Sequence, residues 1–199
     1  ETAREVKDQY VECVAAPDLG EGAVEAFNSK KNVRLVRLGS SDVASPDPWH
    51  VRPAGRWWLV QSEASGPLPA WRCVTRRVPT SDERSALEFA WEVAAAARSN
   101  AIAIARGTRL VGLGSGQTSR VDAVDVALMK ARRAGHELAG SVLASDGFFP
   151  FADNVEHAAQ AGISAIVQPG GSRRDDEVIA ACDRLSVAMM FTDRRTFRH

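Results

Sequence analysis

Apolar positions in the second half of the chain alternate between helical and strand periods. Thr80 and Glu83 have the spacing of a capping box, and Ala86, Leu87, Ala90, Val93, Ala94 and Ala97 recur behind them at helical intervals, which predicts a firmly packed helix. A β-like run Ala101–Ala105, a turn at Arg106–Gly107 and a strand Leu110–Leu113 come next. The glycine-rich turn Gly114-Ser115-Gly116-Gln117 then leads into a helix from about Val121 to Arg133. The remainder reads as strand Ser141–Ala144, helix Asn154–Ala161, strand Ala165–Val167, helix Asp175–Leu185 and strand Val187–Phe191. Strands joined through helices of this length imply a largely parallel or mixed sheet covered on both faces.

The first half is less regular. Thr2 and Glu5 suggest a capping box, with Val6, Tyr10 and Val11 on one helical face. Val11–Ala16 reads as a short buried strand ended by Pro17, Gly22–Asn28 as a helix and Val33–Leu38 as a second strand. From Gly39 to Pro79, Ser, Pro and Gly clusters flank an apolar segment, Arg56–Gln61, so an extended connection with one or two strands is expected. The expectation is one domain over 1–199: an α/β segment 1–38, an irregular connection 39–79 and a core 80–199.

Composition narrows the classes of function. Lys plus Arg and Asp plus Glu number 25 each, so no net field draws the chain to nucleic acid or an anionic membrane. No apolar run approaches the roughly 20 residues needed to cross a bilayer. Cys13, Cys73 and Cys182 are scattered and lack metal or redox spacing, which favours a reducing cytoplasm. The zinc-deaminase, nucleophile-elbow and H-E-x-x-H motifs are absent from the sequence.

Three loops carry candidate chemistry. Gly112–Gln117 precedes a helix headed by Arg120, so its N–H groups and a guanidinium suit an anion, although glycines there also simply make turns. Ser145–Asn154 places three aromatics between a strand and a helix capped by Asp153 or Asn154. Such aromatics serve the core, or they stack a flat ring at a strand's C-terminal end. Pro169–Asp176 repeats the glycine-rich theme, with Ser172 or Asp175 as a cap, and Arg194–His199 is a basic, aromatic-bearing terminus. None of His50, His136, His157 and His199 is positioned by sequence against a carboxylate or nucleophile.

Taken in order, Lys30–Arg34, Ser99–Ile102, Gly112–Arg120, Ala144–Asn154, Gln168–Asp176 and Phe191–His199 resemble a bifunctional family. That family joins aminoimidazole carboxamide ribonucleotide (AICAR) transformylase to IMP cyclohydrolase. The resemblance covers the second half of the transformylase region and weakens from Gly39 to Pro79, where Trp57-Trp58 is this chain's own. It implies a three-layer αβα, cytidine-deaminase-like subdomain with a mixed sheet and no zinc or other catalytic metal. It also implies a formyl transfer from 10-formyltetrahydrofolate, as cosubstrate, to the 5-amino group of AICAR in purine biosynthesis. The partners implied are an AICAR-like ribonucleotide, a folate, and a second copy or a complementary transformylase half.

By resemblance Asn100, Arg120, Phe148 and Arg195 occupy ribonucleotide-binding positions, while Val121, Asp153, Ser172 and Arg173 occupy folate-contact positions. The family's Lys-His-x-Asn-Pro-Cys motif has no counterpart here, so the catalytic groups are unassigned. Gly147 replaces the usual Ala, and Ala152 a common Arg. Two other readings stay open: a non-catalytic relative that binds a folate or purine nucleotide or serves as an assembly module, and a recruited formyl-transfer enzyme using His50 or His136.

Overall fold

A computed structural model describes residues 2–39, 49–62 and 70–199. The chain divides into two compact units, Glu1–Ser62 and Glu63–His199. The predicted segments around 40–48 and 63–69 lie outside the described residues.

In the first unit, helix α1 (Thr2–Lys7) precedes strand β1 (Cys13–Ala16), helix α2 (Glu21–Phe27) and strand β2 (Arg34–Arg37). β1 and β2 pair in parallel, Val14 opposite Leu35. The strand read as buried is only half-covered, and Phe27 is the one buried hydrophobic residue among the described residues of this unit. Two strands and a seven-residue helix have too little surface to bury either face. Helix α1 ends at Lys7 and Tyr10 is 90% exposed, so Tyr10 and Val11 do not continue its apolar face.

The apolar segment after Gly39 forms a hairpin, β3 (Trp49–Ala54) and β4 (Trp57–Ser62). A two-residue turn with Gly55 at φ 64° closes it, the backbone that favours glycine in tight hairpins. Trp57 and Trp58 stay largely exposed.

The second unit is built on a six-stranded mixed sheet. Its strands are β5 (Arg72–Cys73), β6 (Ile102–Arg106), β7 (Arg109–Gly114), β8 (Val142–Ser145), β9 (Ala165–Gln168) and β10 (Ala188–Phe191), in the order β5-β10-β9-β8-β6-β7. β8, β9 and β10 run parallel, while β6 runs antiparallel to β8 and β7 turns back beside β6. Of the connection expected to hold one or two strands, the described residues thus form three: β3, β4 and β5.

Strand alternation sorts side chains between two layers. Ile102, Ile104, Leu143, Ile166 and Met189 face helices α4 (Arg120–Arg133), α5 (Asp153–Gln160) and α6 (Asp175–Leu185). Ala103, Ala105, Val142, Ala144, Ala165, Val167 and Ala188 face α3 (Ser81–Ala96). The small residues on the second face let one helix lie close to the sheet. α3 begins with the predicted capping box: Thr80 accepts from Glu83 N, and Glu83 accepts from Thr80 N. Its packed face includes Trp91, which the apolar repeat did not single out and which meets the Trp71 ring edge-on at 6.0 Å. Cys182 on α6 is fully buried, and burial, with Asp183 nearby, pushes its thiol up to about 12.

Candidate functional site

The sheet topology gathers the candidate loops at one edge. β8, β9 and β10 end there, the antiparallel β6 begins there, and β7 returns to it. Residues after four strands and before a fifth, together with the first turn of α4, therefore share the edge where open α/β sheets bind ligands.

At its centre lies Asp146, immediately beyond β8 and fully buried. Its Oδ1 accepts from Ala101 N at 3.0 Å and from Arg120 Nη1, and its Oδ2 accepts from Ser99 Oγ at 2.5 Å. The Asp146 carbonyl accepts from Thr196 N at 3.1 Å. The C-terminal segment is thereby pinned beside β8, and Ser99 N donates to Arg198 O at 3.0 Å. That path carries the Arg195 guanidinium to 5.1 Å from the centre of the Phe148 ring and 5.9 Å from that of Phe197. Gly147 keeps the junction close, since a Cβ there would overlap the Arg120 guanidinium and lie 2.6 Å from Phe197 Cε1. Arg120, Phe148 and Arg195 thus converge, with Arg195 exposed, Phe148 half-buried and Arg120 buried.

Asn100 sits on the adjoining strand start, its Nδ2 donating to Gln117 O at 2.9 Å. The glycines of the neighbouring turn have a packing role. A Cβ at Gly114 would overlap the Ala123 carbonyl and one at Gly112 the Ala127 carbonyl, so both let α4 rest directly on β7. Ser119 caps α4 by accepting from Asp122 N at 3.1 Å. The structure therefore explains these glycines without an anion.

The other four candidates lie on flanking segments. Val121 is half-buried in the first turn of α4. Asp153 is exposed as the first residue of α5, where its Oδ1 accepts from Asn154 N at 2.7 Å. Neither Asp153 nor Asn154 is the cap: Ala152 holds that position without a side-chain bond, because the helix starts one residue earlier than its apolar period indicates. Ser172 and Arg173 lie in the loop after β9. Arg174, not Ser172 or Asp175, is the N-cap residue of α6, while Asp175 reaches back to accept from Gly171 N and Ser172 N. Arg174 stacks over Phe151 at 4.9 Å, joining this loop to the aromatic one.

Sequence reasoning missed Asp146, Ser99, Phe197 and Gln168 as architects of this edge. Buried Gln168 accepts from Phe149 N at 2.9 Å and so fixes the backbone of the aromatic loop. One signal was available: Asp146 directly follows a strand without a charged residue, and an acid there must find a partner if buried. His157, which the sequence did not position against a carboxylate, lies 3.2 Å from Asp125 in an exposed contact between α5 and α4, and His199 meets the Phe197 ring at 6.0 Å. The side chain of His50 is outside the described residues. Among the described residues no group of three His, Cys, Asp or Glu is arranged to hold a metal, and no helix is long and apolar enough to cross a membrane.

A mixed sheet with helices on both faces, whose strand ends collect two arginines and an aromatic ring, defines an α/β domain with a polar, aromatic-bearing edge. The family described as the AICARFT/IMPCHase bienzyme matches residues 1–130, and the chain belongs to that family. Over 199 residues the chain is 48% identical to the bifunctional purine biosynthesis protein PurH of Chloroflexus aurantiacus, with 99% of this chain and 39% of that protein covered. It is 43% identical over 201 residues to PurH of Desulfitobacterium hafniense, with 100% and 38% covered. The chain therefore spans about two fifths of the length of these curated relatives.

Two solved structures are similar over about half of the chain. One is a diaminohydroxyphosphoribosylaminopyrimidine deaminase/5-amino-6-(5-phosphoribosylamino)uracil reductase from Thermotoga maritima, with TM-score 0.38, 15% identity, and 55% of this chain and 34% of that chain covered. The other is a dCMP deaminase from the cyanophage S-TIM5, with TM-score 0.39, 16% identity, and 56% and 98% covered.

Proposed function

We propose that this chain supplies ligand-contact surface to a folate-dependent AICAR transformylase of purine biosynthesis, acting in the cytoplasm with a second copy or a complementary half. The observation that carries this reading is the convergence of Arg120, Phe148 and Arg195 at one sheet edge. It occurs in a chain of which 99% aligns, at 48% identity, with 39% of the PurH of Chloroflexus aurantiacus. Arg195 supplies an exposed cation for an anionic ribonucleotide, Phe148 a face for its imidazole, and Asn100 and Arg120 orient its polar groups. Val121, Asp153, Ser172 and Arg173 border the 10-formyltetrahydrofolate side.

An aromatic amine attacking a formamide needs a proton acceptor and stabilisation of the developing oxyanion. The Lys-His motif assigned to those tasks by family resemblance is not in this sequence. The chain's contribution is then to hold the amine and the formyl donor in reacting geometry. Calorimetric titration with AICAR tests the binding, and mixing the chain with a complementary transformylase half tests turnover. We expect Arg195→Ala to weaken AICAR binding about tenfold or more, the scale of one hydrogen bond to a charged group. Absence of both binding and formyl transfer in the wild type refutes the reading.

A further inference from the structure

Arg120 is the first residue of α4, at the positive end of the helix dipole, where a buried guanidinium is disfavoured. The opposing charge in contact with it is the buried carboxylate of Asp146. The same residue accepts from Ser99 Oγ and Ala101 N through its carboxylate, donates its own N–H to Ala101 O and accepts from Thr196 N through its carbonyl. One side chain and its peptide groups thereby join the start of β6, the end of β8, the head of α4 and the C-terminal segment that delivers Arg195 to Phe148.

We propose that Asp146 is a positioning residue whose carboxylate fixes the Arg120 guanidinium at the ligand edge, while its backbone carbonyl, unchanged in Asp146→Asn, holds the segment that carries Arg195. The proposal rests on the reading of Arg120 and Arg195 as ligand-contact residues. Its distinguishing feature is coupling: Asp146 affects binding by way of Arg120, so its loss is felt only while Arg120 is present.

The test is a double-mutant cycle on the full chain with Asp146→Asn, Arg120→Met and the double variant. AICAR affinity is read by calorimetry, thermal midpoint by calorimetric scanning, and the Arg120 and Arg195 side-chain resonances by NMR without ligand. We expect Asp146→Asn alone to weaken AICAR about tenfold or more, as loss of a charged hydrogen bond would, and to move the Arg120 resonances while leaving those of Arg195 in place. In the Arg120→Met background the same change should cost no further affinity and should raise the midpoint, because it removes a buried negative charge that has lost its arginine partner.

Equal fold losses in both backgrounds, or unmoved Arg120 resonances in Asp146→Asn, overturn the proposal. If Asp146→Asn fails to fold, Ser99→Ala enters the same cycle, with a smaller loss and the same dependence on Arg120; equal losses there are again fatal. If the wild type binds no AICAR, the functional reading fails, and the ligand-free resonances still decide whether Asp146 positions Arg120.

Discussion

Replacing Gly114 by alanine should destabilise the second unit by about 3 kcal/mol, the upper end of the range for forcing extra atoms into a packed core. The magnitude follows from what the added methyl group meets. At Gly114 it would overlap the Ala123 carbonyl, a backbone atom inside α4 that no rotamer change can move away, so helix and strand must separate. For a unit of about 140 residues each kcal/mol shifts the melting midpoint by roughly 3–4 °C, which places the variant about 10 °C below wild type. Scanning calorimetry, with urea unfolding as a second measure, reads the effect. Gly116→Ala is the internal comparison: a Cβ there meets open space, but φ is 69°, so only backbone strain of about 1 kcal/mol is expected. A Gly114→Ala midpoint within 1–2 °C of wild type, or a smaller loss than at Gly116, would refute the close-packing account of these glycines.

Other outcomes follow from single side chains. Glu83→Gln should cost about 1–2 kcal/mol at neutral pH by weakening the α3 capping box and the 2.6 Å contact from Arg77. Burial alone would raise the Glu83 pKa, but hydrogen bonds from Arg77, Ser164 and Thr80, with the Arg77 charge, hold it below 4.5. Its stabilisation is therefore complete above the unfolded value and fades as pH falls through the folded one, so wild type and variant should converge in acid. Cys182 should resist iodoacetamide at pH 8 while exposed Cys13 and Cys73 react, as mass spectrometry would show. Because the fold keeps the Cys182 proton, the unfolded chain loses it first, and stability should decline as pH rises from about 9 towards 12. Leu87→Ala, at a fully buried site under α3, should cost about 2–5 kcal/mol in urea unfolding.

Much of the second unit is written locally in the sequence. α6 is Asp175–Leu185 both in the apolar period and in the fold, and the Thr80–Glu83 box starts α3 as the spacing indicates. Helical and strand periods report on backbone geometry a few residues at a time, so they survive without knowledge of neighbours. Where burial depends on a partner, the local signal misleads. Val11–Ala16 has strand composition, but only Cys13–Ala16 pairs, in a two-stranded sheet that cannot enclose it, and Tyr10 lies beyond the helix whose face it would extend.

The candidate site divides along the same line. Resemblance to the family's motifs singled out Arg120, Phe148 and Arg195 in the sequence, because such motifs are local runs of residues. Only the tertiary structure brought Ser99, Asp146 and Thr196 together across separations of 47 and 50 positions in the chain. Strand order decides such meetings, since β6 lies antiparallel to β8 and places Ala101 beside Asp146. The sequence by itself determined which side chains this protein can present to a ligand. The fold determined that Arg120 is held by a buried carboxylate while Arg195 remains exposed over Phe148, because long-range pairing and burial set each group's partners.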